Sequence, residues 1–357
     1  MDPVDVVAVV GACAPERRRY AAELARASGR EIFPAARLGM AADPVEEGAA
    51  LAPWAGVKGA VVEYPLRAPV DEVIGALLEP GVHTRLGGVV CLVDAAHLLA
   101  DLADESTIRH VSTGHGRRFW DATPRALLVA AQIEFASTVV IADWDRLATP
   151  DLSTVMALVS HLNPRARLRL ERPGLEPAEG SEGYEVRRTG AGWLALLNGD
   201  HSPAMRDPRV SALRYEQVRP FHPGRLASLL DERVEPGEFG TVIRSCGFCR
   251  LATRPGITAQ WTHAGPAISL EPLARDVVPG AEGFGAREDP DAEEPSTELL
   301  AVGQDLGIIG LDLDAGALSA ALDEAALTDE ELLAGVESWA ELPDPFPAWR
   351  GVGDRTD

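Results

Sequence analysis

The first 28 residues constrain the fold most. VDVVAVV (4–10) is an unbroken apolar run, the form of a strand covered on both faces. Gly11 follows, and APERRRYAAELARAS (14–28) then places apolar residues at spacings of three and four before Gly29, as an amphipathic helix does. The couple recurs. EIFPA (31–35), KGAVVEYP (58–65), LGGVVCLVDA (86–95), STVVIAD (137–143) and RARLRLER (165–172) read as strands. PVDEVIGALL (69–78), LLVAAQIEFA (127–136) and PDLSTVMALVSHLNP (150–164) read as helices. Alternation of this kind predicts an α/β domain over residues 1–200, a doubly wound, mostly parallel sheet.

The character changes after PGLEPAEGSEGYEVRRTGAG (173–192), a Gly/Glu/Pro-rich loop. From residue 211 a strand leads into a helix, and TVIRSCGFCRLATRP, ITAQWTHAGPAISLEP and TELLAVGQDL are strand candidates. An acidic Pro/Gly stretch at 276–298 is expected as a mobile loop, and 316–333 as a helical pair. This half, residues 205–350, reads as a smaller α+β domain with one antiparallel sheet.

Charge narrows the partners. The chain carries 55 acidic and 33 basic residues, a formal charge of −22, and one lysine, Lys58. Such a surface repels phosphate backbones, so direct nucleic-acid binding is not expected. STGHGRRFW (112–120) is a local basic spot, read as a mobile loop. The four cysteines are too few and scattered for a disulfide framework. The start MDPVDVV lacks a basic signal segment, and no apolar run approaches the roughly 18 residues of a membrane span. The expectation is a cytoplasmic protein with no membrane contact.

RPFHPGRLASLLDE (219–232), VIRSCGFCRLATRP (242–255), QWTHAGPAISLEP (260–272), LLAVGQDL (299–306), AALDEAALTDEELL (320–333) and LPDPFPAW (342–349) resemble, in order and spacing, the C-terminal domain of CobW-like proteins. These are P-loop GTPases tied to metal homeostasis. VVCLVDAAHLLADL (89–102), QIEFASTVVIADWDRL (132–147) and LNPRARL (162–168) are similar to stretches of the family's GTPase domain. The resemblance implies a P-loop NTPase-like first domain, a CobW C-terminal domain that docks protein partners, and GTP, magnesium and zinc as the ligands to test for.

The nucleotide motifs depart from that pattern. A phosphate loop needs glycines for its backbone donors, a lysine for the β/γ-phosphates and a Ser/Thr for magnesium. Here Gly11 survives, Pro15 removes a donor and Glu16 adds a negative charge. Arg17, Arg18 or Arg19 could meet an anion at the helix N-terminus, though an arginine fork does not replace the lysine. The guanine-reading Asn-Lys-x-Asp falls on Ala142, Asp143, Trp144 and Asp145, of which Asp145 matches. Glu63 matches the acidic residue near magnesium, and Asp94 ends a strand where ligands often bind. Gly11, Arg17, Glu63, Asp94 and Asp145 are therefore the vestigial nucleotide set. The family's cysteine metal motif has no counterpart before Glu63.

Cys246-Gly-Phe-Cys249 is a CxxC that His263 or His222 could complete as a zinc site. It lies in a predicted strand, where residues three apart point to opposite faces, so two structural cysteines are the plainer reading. Cys13, at a helix N-terminus near three arginines, is a candidate reactive thiol, weighed against a small residue filling a turn. His83, His97, His110 and His115 with Asp101 and Asp104 fit no compact ligand pattern and are read as surface groups.

The leading reading is an accessory, partner-binding protein of zinc homeostasis with decayed GTPase motifs, its partner a metalloprotein client. A second is implied by degenerate actinobacterial relatives that recruit a ribosome hibernation factor under zinc limitation. A third is an active GTP-dependent metallochaperone.

Overall fold

The computed structural model describes residues 3–114, 117–172, 184, 190–275 and 303–349. The acidic stretch at 276–298 and nearly all of the loop expected at 173–192 lie outside the described residues. The chain divides into two compact units, residues 1–211 with 264–267, and 212–263 with 268–357.

The first unit opens with β1 (Val4–Val10), α1 (Ala14–Ser28) and β2 (Glu31–Phe33). Two short helices follow, α2 (Ala35–Leu38) and α3 (Pro44–Leu51), in a stretch whose prolines and glycines masked them in the sequence. Asp43 caps α3, accepting from the backbone N–H of Val45 at 2.9 Å. Then come β3 (Ala60–Glu63), α4 (Val70–Leu78), β4 (Thr84–Asp94), α5 (Leu98–Leu102), β5 (Thr107–Gly114), β6 (Arg117–Pro124), α6 (Arg125–Glu134), β7 (Thr138–Ala142), α7 (Thr149–Leu162), β8 (Arg167–Leu170) and α8 (Gly192–Leu197).

Six strands form one sheet in the order β2-β3-β1-β4-β7-β8, and every neighbouring pair is parallel. From β1 the chain runs to β2 at the edge, comes back to β3 between β2 and β1, and then crosses to the far side of β1 with β4. The direction of winding thus reverses at β1 and β4, and their carboxyl ends face the crevice where such sheets bind ligands. On one face, Val7 and Val9 pack against Tyr20, Ala21, Leu24 and Ala25 of α1. Pro15 starts that helix, and Gly29 ends it at φ 69°.

Residues 112–114 and 117–120, expected within a mobile loop, belong instead to the antiparallel pair β5–β6, with Val111 opposite Trp120 and Ser112 opposite Phe119. The β-forming residues Val111, Phe119 and Trp120 lie in these strands. His110, expected at the surface, is buried on β5 at 2% exposure.

The second unit holds β9 (Val210–Gln217), α9 (Pro223–Leu229), β10 (Thr241–Cys249), β11 (Ile257–Ala264), β12 (Ala267–Arg275), β13 (Gln304–Leu311), α10 (Ala315–Ala325) and α11 (Asp329–Trp339). Its sheet runs β12-β11-β10-β13-β9, with β10 and β13 antiparallel. Leu226 and Leu229 of α9 and Leu318 and Leu322 of α10 close its core over Phe221, Trp261, Leu306 and Ile308. The strand expected at 297–306 is seen at 304–311. No described helix is long and apolar enough to cross a membrane.

Asn163 is a polar hub of the first unit. At 2% exposure, its amide donates to the carbonyls of Ile133 (2.7 Å), Glu134 (3.0 Å) and Ala136 (2.9 Å) where α6 ends. Its oxygen accepts from the N–H groups of Arg165 and Ala166. An Asn163→Ala variant leaves several of these buried groups unpaired, and urea unfolding should show a loss of about 2 kcal/mol or more.

Candidate functional site

The vestigial nucleotide residues do gather at the carboxyl ends of β1, β3, β4 and β7, but as three separate arrangements. The junction after β1 is short. Val10 ends the strand and Ala14 starts the helix, so only Gly11, Ala12 and Cys13 intervene. A phosphate loop spans eight residues and wraps its N–H groups around the phosphates. Gly11 adopts φ 140° and backs onto β4, where a Cβ would stand 2.3 Å from the Leu92 carbonyl oxygen. Close approach to β4 therefore requires glycine here.

Arg17 does not reach for an anion in solvent. It is 5% exposed, and its Nε donates to Oε1 of Glu63, 1% exposed, at 3.0 Å. Its Nη1 donates to the carbonyl oxygen of Gly11. The second oxygen of Glu63 accepts from the backbone N–H of Ala35 at 3.0 Å. The three residues thus satisfy one another. The direction of Arg17 was legible: it shares the spacing of Tyr20, Ala21 and Leu24, the buried stripe of α1.

Asp94 ends β4 at 7% exposure. Its Oδ1 accepts from the Ala96 N–H at 2.8 Å, and its Oδ2 meets Nδ1 of the exposed His97 at 2.7 Å. The Asp94 hydrogen bond, with its charge, raises the His97 pKa above the usual value. Asp145 stands apart, exposed in the turn after β7. It lines an open cavity of about 340 Å³ with Arg19, Glu23, Asp143, Trp144 and Glu171. Arg19 is paired with Glu171 at 2.6 Å, and Trp144 Nε1 donates to the Glu171 carbonyl at 2.7 Å. Four carboxylates against one paired arginine make this cavity hostile to a triphosphate. A GTP–magnesium complex does not fit this corner. The loop is too short to cradle phosphates, no Lys or Ser/Thr stands in it, and its arginine is internally bound.

Cys13 is not an activated thiol. Burial, ahead of the charge of Glu16, pushes its pKa up to about 12, and its Sγ donates to the Leu92 carbonyl at 3.3 Å. Cys91, behind it, is also raised by burial.

Cys246, Cys249 and His263 do not form a ligand group. Among the described residues the one cluster of three or more His, Cys, Asp or Glu with mutually close ligand atoms is Glu16, Asp94 and Asp143. Cys246 Sγ lies 4.0 Å from Thr262 Oγ1, whereas Cys249 is part of the apolar core, its thiol pushed up to about 12 by burial. His263 Nδ1 is 3.0 Å from Ser245 Oγ, which also accepts from Trp261 Nε1 at 2.8 Å. Strand geometry and these local partners keep the groups apart. His222 caps α9, its ring accepting from the Arg225 N–H.

Two outcomes test this site. Replacing one member of the buried pair, as in Arg17→Met, strands a charge and should cost about 3–5 kcal/mol in denaturant unfolding, while Arg17→Met with Glu63→Leu should recover at least half. In an NMR titration His97 should titrate above about 6.5 and return toward it in Asp94→Asn. Because its native pKa is raised, its stabilising contribution is complete below the unfolded value and disappears as pH climbs through the native one.

Comparison with known proteins agrees with the second unit most directly. Residues 210–326 match the cobalamin synthesis protein cobW C-terminal domain. The chain is 25% identical over 305 residues to a zinc-regulated GTPase metalloprotein activator of Dictyostelium discoideum, covering 77% of this chain and 59% of that protein. It is 24% identical over 273 residues to a zinc chaperone of Mycobacterium tuberculosis, covering 74% and 62% respectively. The chain thus spans about 59–62% of these relatives' lengths. The crystal structure of the Zn(II)-bound YjiA GTPase from E. coli aligns over 92% of this chain and 100% of that one, with 13% identity and a TM-score of 0.36. Residues 210–326 of this chain are thus a cobW C-terminal domain, preceded in the sequence by a parallel α/β unit.

Proposed function

We propose that this protein serves metal homeostasis by binding a protein partner and does not hydrolyse GTP. The metal context comes from its relatives, named as a zinc-regulated GTPase metalloprotein activator and a zinc chaperone. The loss of hydrolysis rests on one observation above the others. The arginine nearest the phosphate position is locked onto Glu63 and the Gly11 carbonyl in a site almost closed to solvent. Using that arginine for phosphate would break a buried pair and leave Glu63 uncompensated. The acidic cavity beside Asp145 supports the same reading, because it disfavours a polyanion. What remains is a scaffold and a cobW C-terminal domain, and a net charge of −22 favours a basic partner surface.

Titration of a fluorescent GTP analogue with magnesium checks the reading. No saturable signal is expected through the high micromolar range. Binding in the low micromolar range would overturn the loss of nucleotide chemistry.

A further inference from the structure

We propose that Glu16, Asp94 and Asp143 hold a hard divalent cation at the carboxyl ends of β1, β4 and β7. One oxygen from each lies within 4.8 Å of the others. Two oxygens on opposite sides of one ion at about 2.3–2.6 Å are separated by a distance of this size, so a calcium- or manganese-sized ion bridges them with little movement. An all-carboxylate donor set selects magnesium, calcium or manganese over softer metals.

A second observation points to a ligand here. Gln132 of α6 is 1% exposed, and neither its amide oxygen nor its amide nitrogen has a hydrogen-bond partner. It lines a cavity of about 10 Å³ whose other walls include Asp94 and Cys13. That volume holds one water. Cations of this class keep part of their water shell, and a water seated between Gln132 and the ion satisfies the amide. The surrounding charges allow occupancy. Asp94 is paired with His97 and Asp143 with Arg146 (3.0 Å), and these two partners are 67% and 68% exposed, free to swing into solvent. Asp143 also lines the open 340 Å³ cavity, which gives an ion a path from solvent.

The assignment does not depend on how the protein treats GTP or on its partner. Manganese binding is therefore measured on the full chain, without nucleotide, by the loss of the free-ion EPR signal, with calcium and magnesium as competitors. One ion per chain is expected. Asp143→Asn and Glu16→Gln should each weaken binding on the order of tenfold or more, and Gln132→Leu several-fold. The two carboxylate positions are only partly buried, and thermal melting of each variant without metal establishes that it is folded. Manganese should also raise the melting temperature of the wild type and not of Asp143→Asn. Absence of submillimolar binding, or wild-type affinity in any of the three variants, would overturn the site.

Discussion

The contact among Arg17, Glu63 and Gly11 sets the shape of everything around the head of the sheet. It ties the second turn of α1 to the last residue of β3 and to the bend after β1, across 46 residues of chain between the two charges. Through the second oxygen of Glu63 it also fixes the start of α2. A buried ion pair of this kind adds little over a well-packed apolar substitute, yet each partner makes the other indispensable. Its effect is on arrangement. The guanidinium must stay where the carboxylate is, so the corner cannot open to admit a phosphate without a large electrostatic penalty.

The same corner also inverts the usual charge logic of a helix N-terminus. Free N–H groups and the helix dipole make such a terminus a seat for an anion. In α1, Pro15 supplies no N–H, and Glu16 places a carboxylate in the first turn. The helix is thereby neutralised by its own side chain, and Asp94 and Asp143 crowd the same region from the neighbouring strands. A sheet that elsewhere in its fold class presents positive potential at the switch point presents negative potential here.

Sequence patterning carried the scaffold well, because continuous apolar strands and amphipathic helices are local signals. β1 and α1 fall on 4–10 and 14–28, where the periodicity places them. Local signals failed in two places. Residues 112–120 were expected as a loop although 112–114 and 117–120 carry strands, and the short helices at Ala35–Leu38 and Pro44–Leu51 give too brief a periodic signal to read. The site was less legible. Gly11, Arg17, Glu63, Asp94 and Asp145 were individually visible from their place in the pattern, but their pairing was not. Neither was the convergence of Glu16 and Asp143 on Asp94, since no sequence spacing encodes a meeting at the ends of three strands. Cys246 and Cys249 show the reverse error, in which close spacing suggests a site and strand packing disperses it.

Backbone satisfaction explains how the head of this sheet is held together. A phosphate loop leaves donors that an anion must satisfy, whereas this junction turns inward. The Gly11 carbonyl takes Arg17, and the Leu92 carbonyl takes Cys13. Single buried amides finish the remaining ends. Asn163 collects the carbonyls at the end of α6, and in the second unit Gln304, at 0% exposure, donates to the carbonyls of Arg219 and Arg250 and accepts from the Arg250 N–H. Buried backbone groups must be paired somewhere, and here side chains of the chain itself pair them. A fold completed in this way does not need a nucleotide to hold its shape.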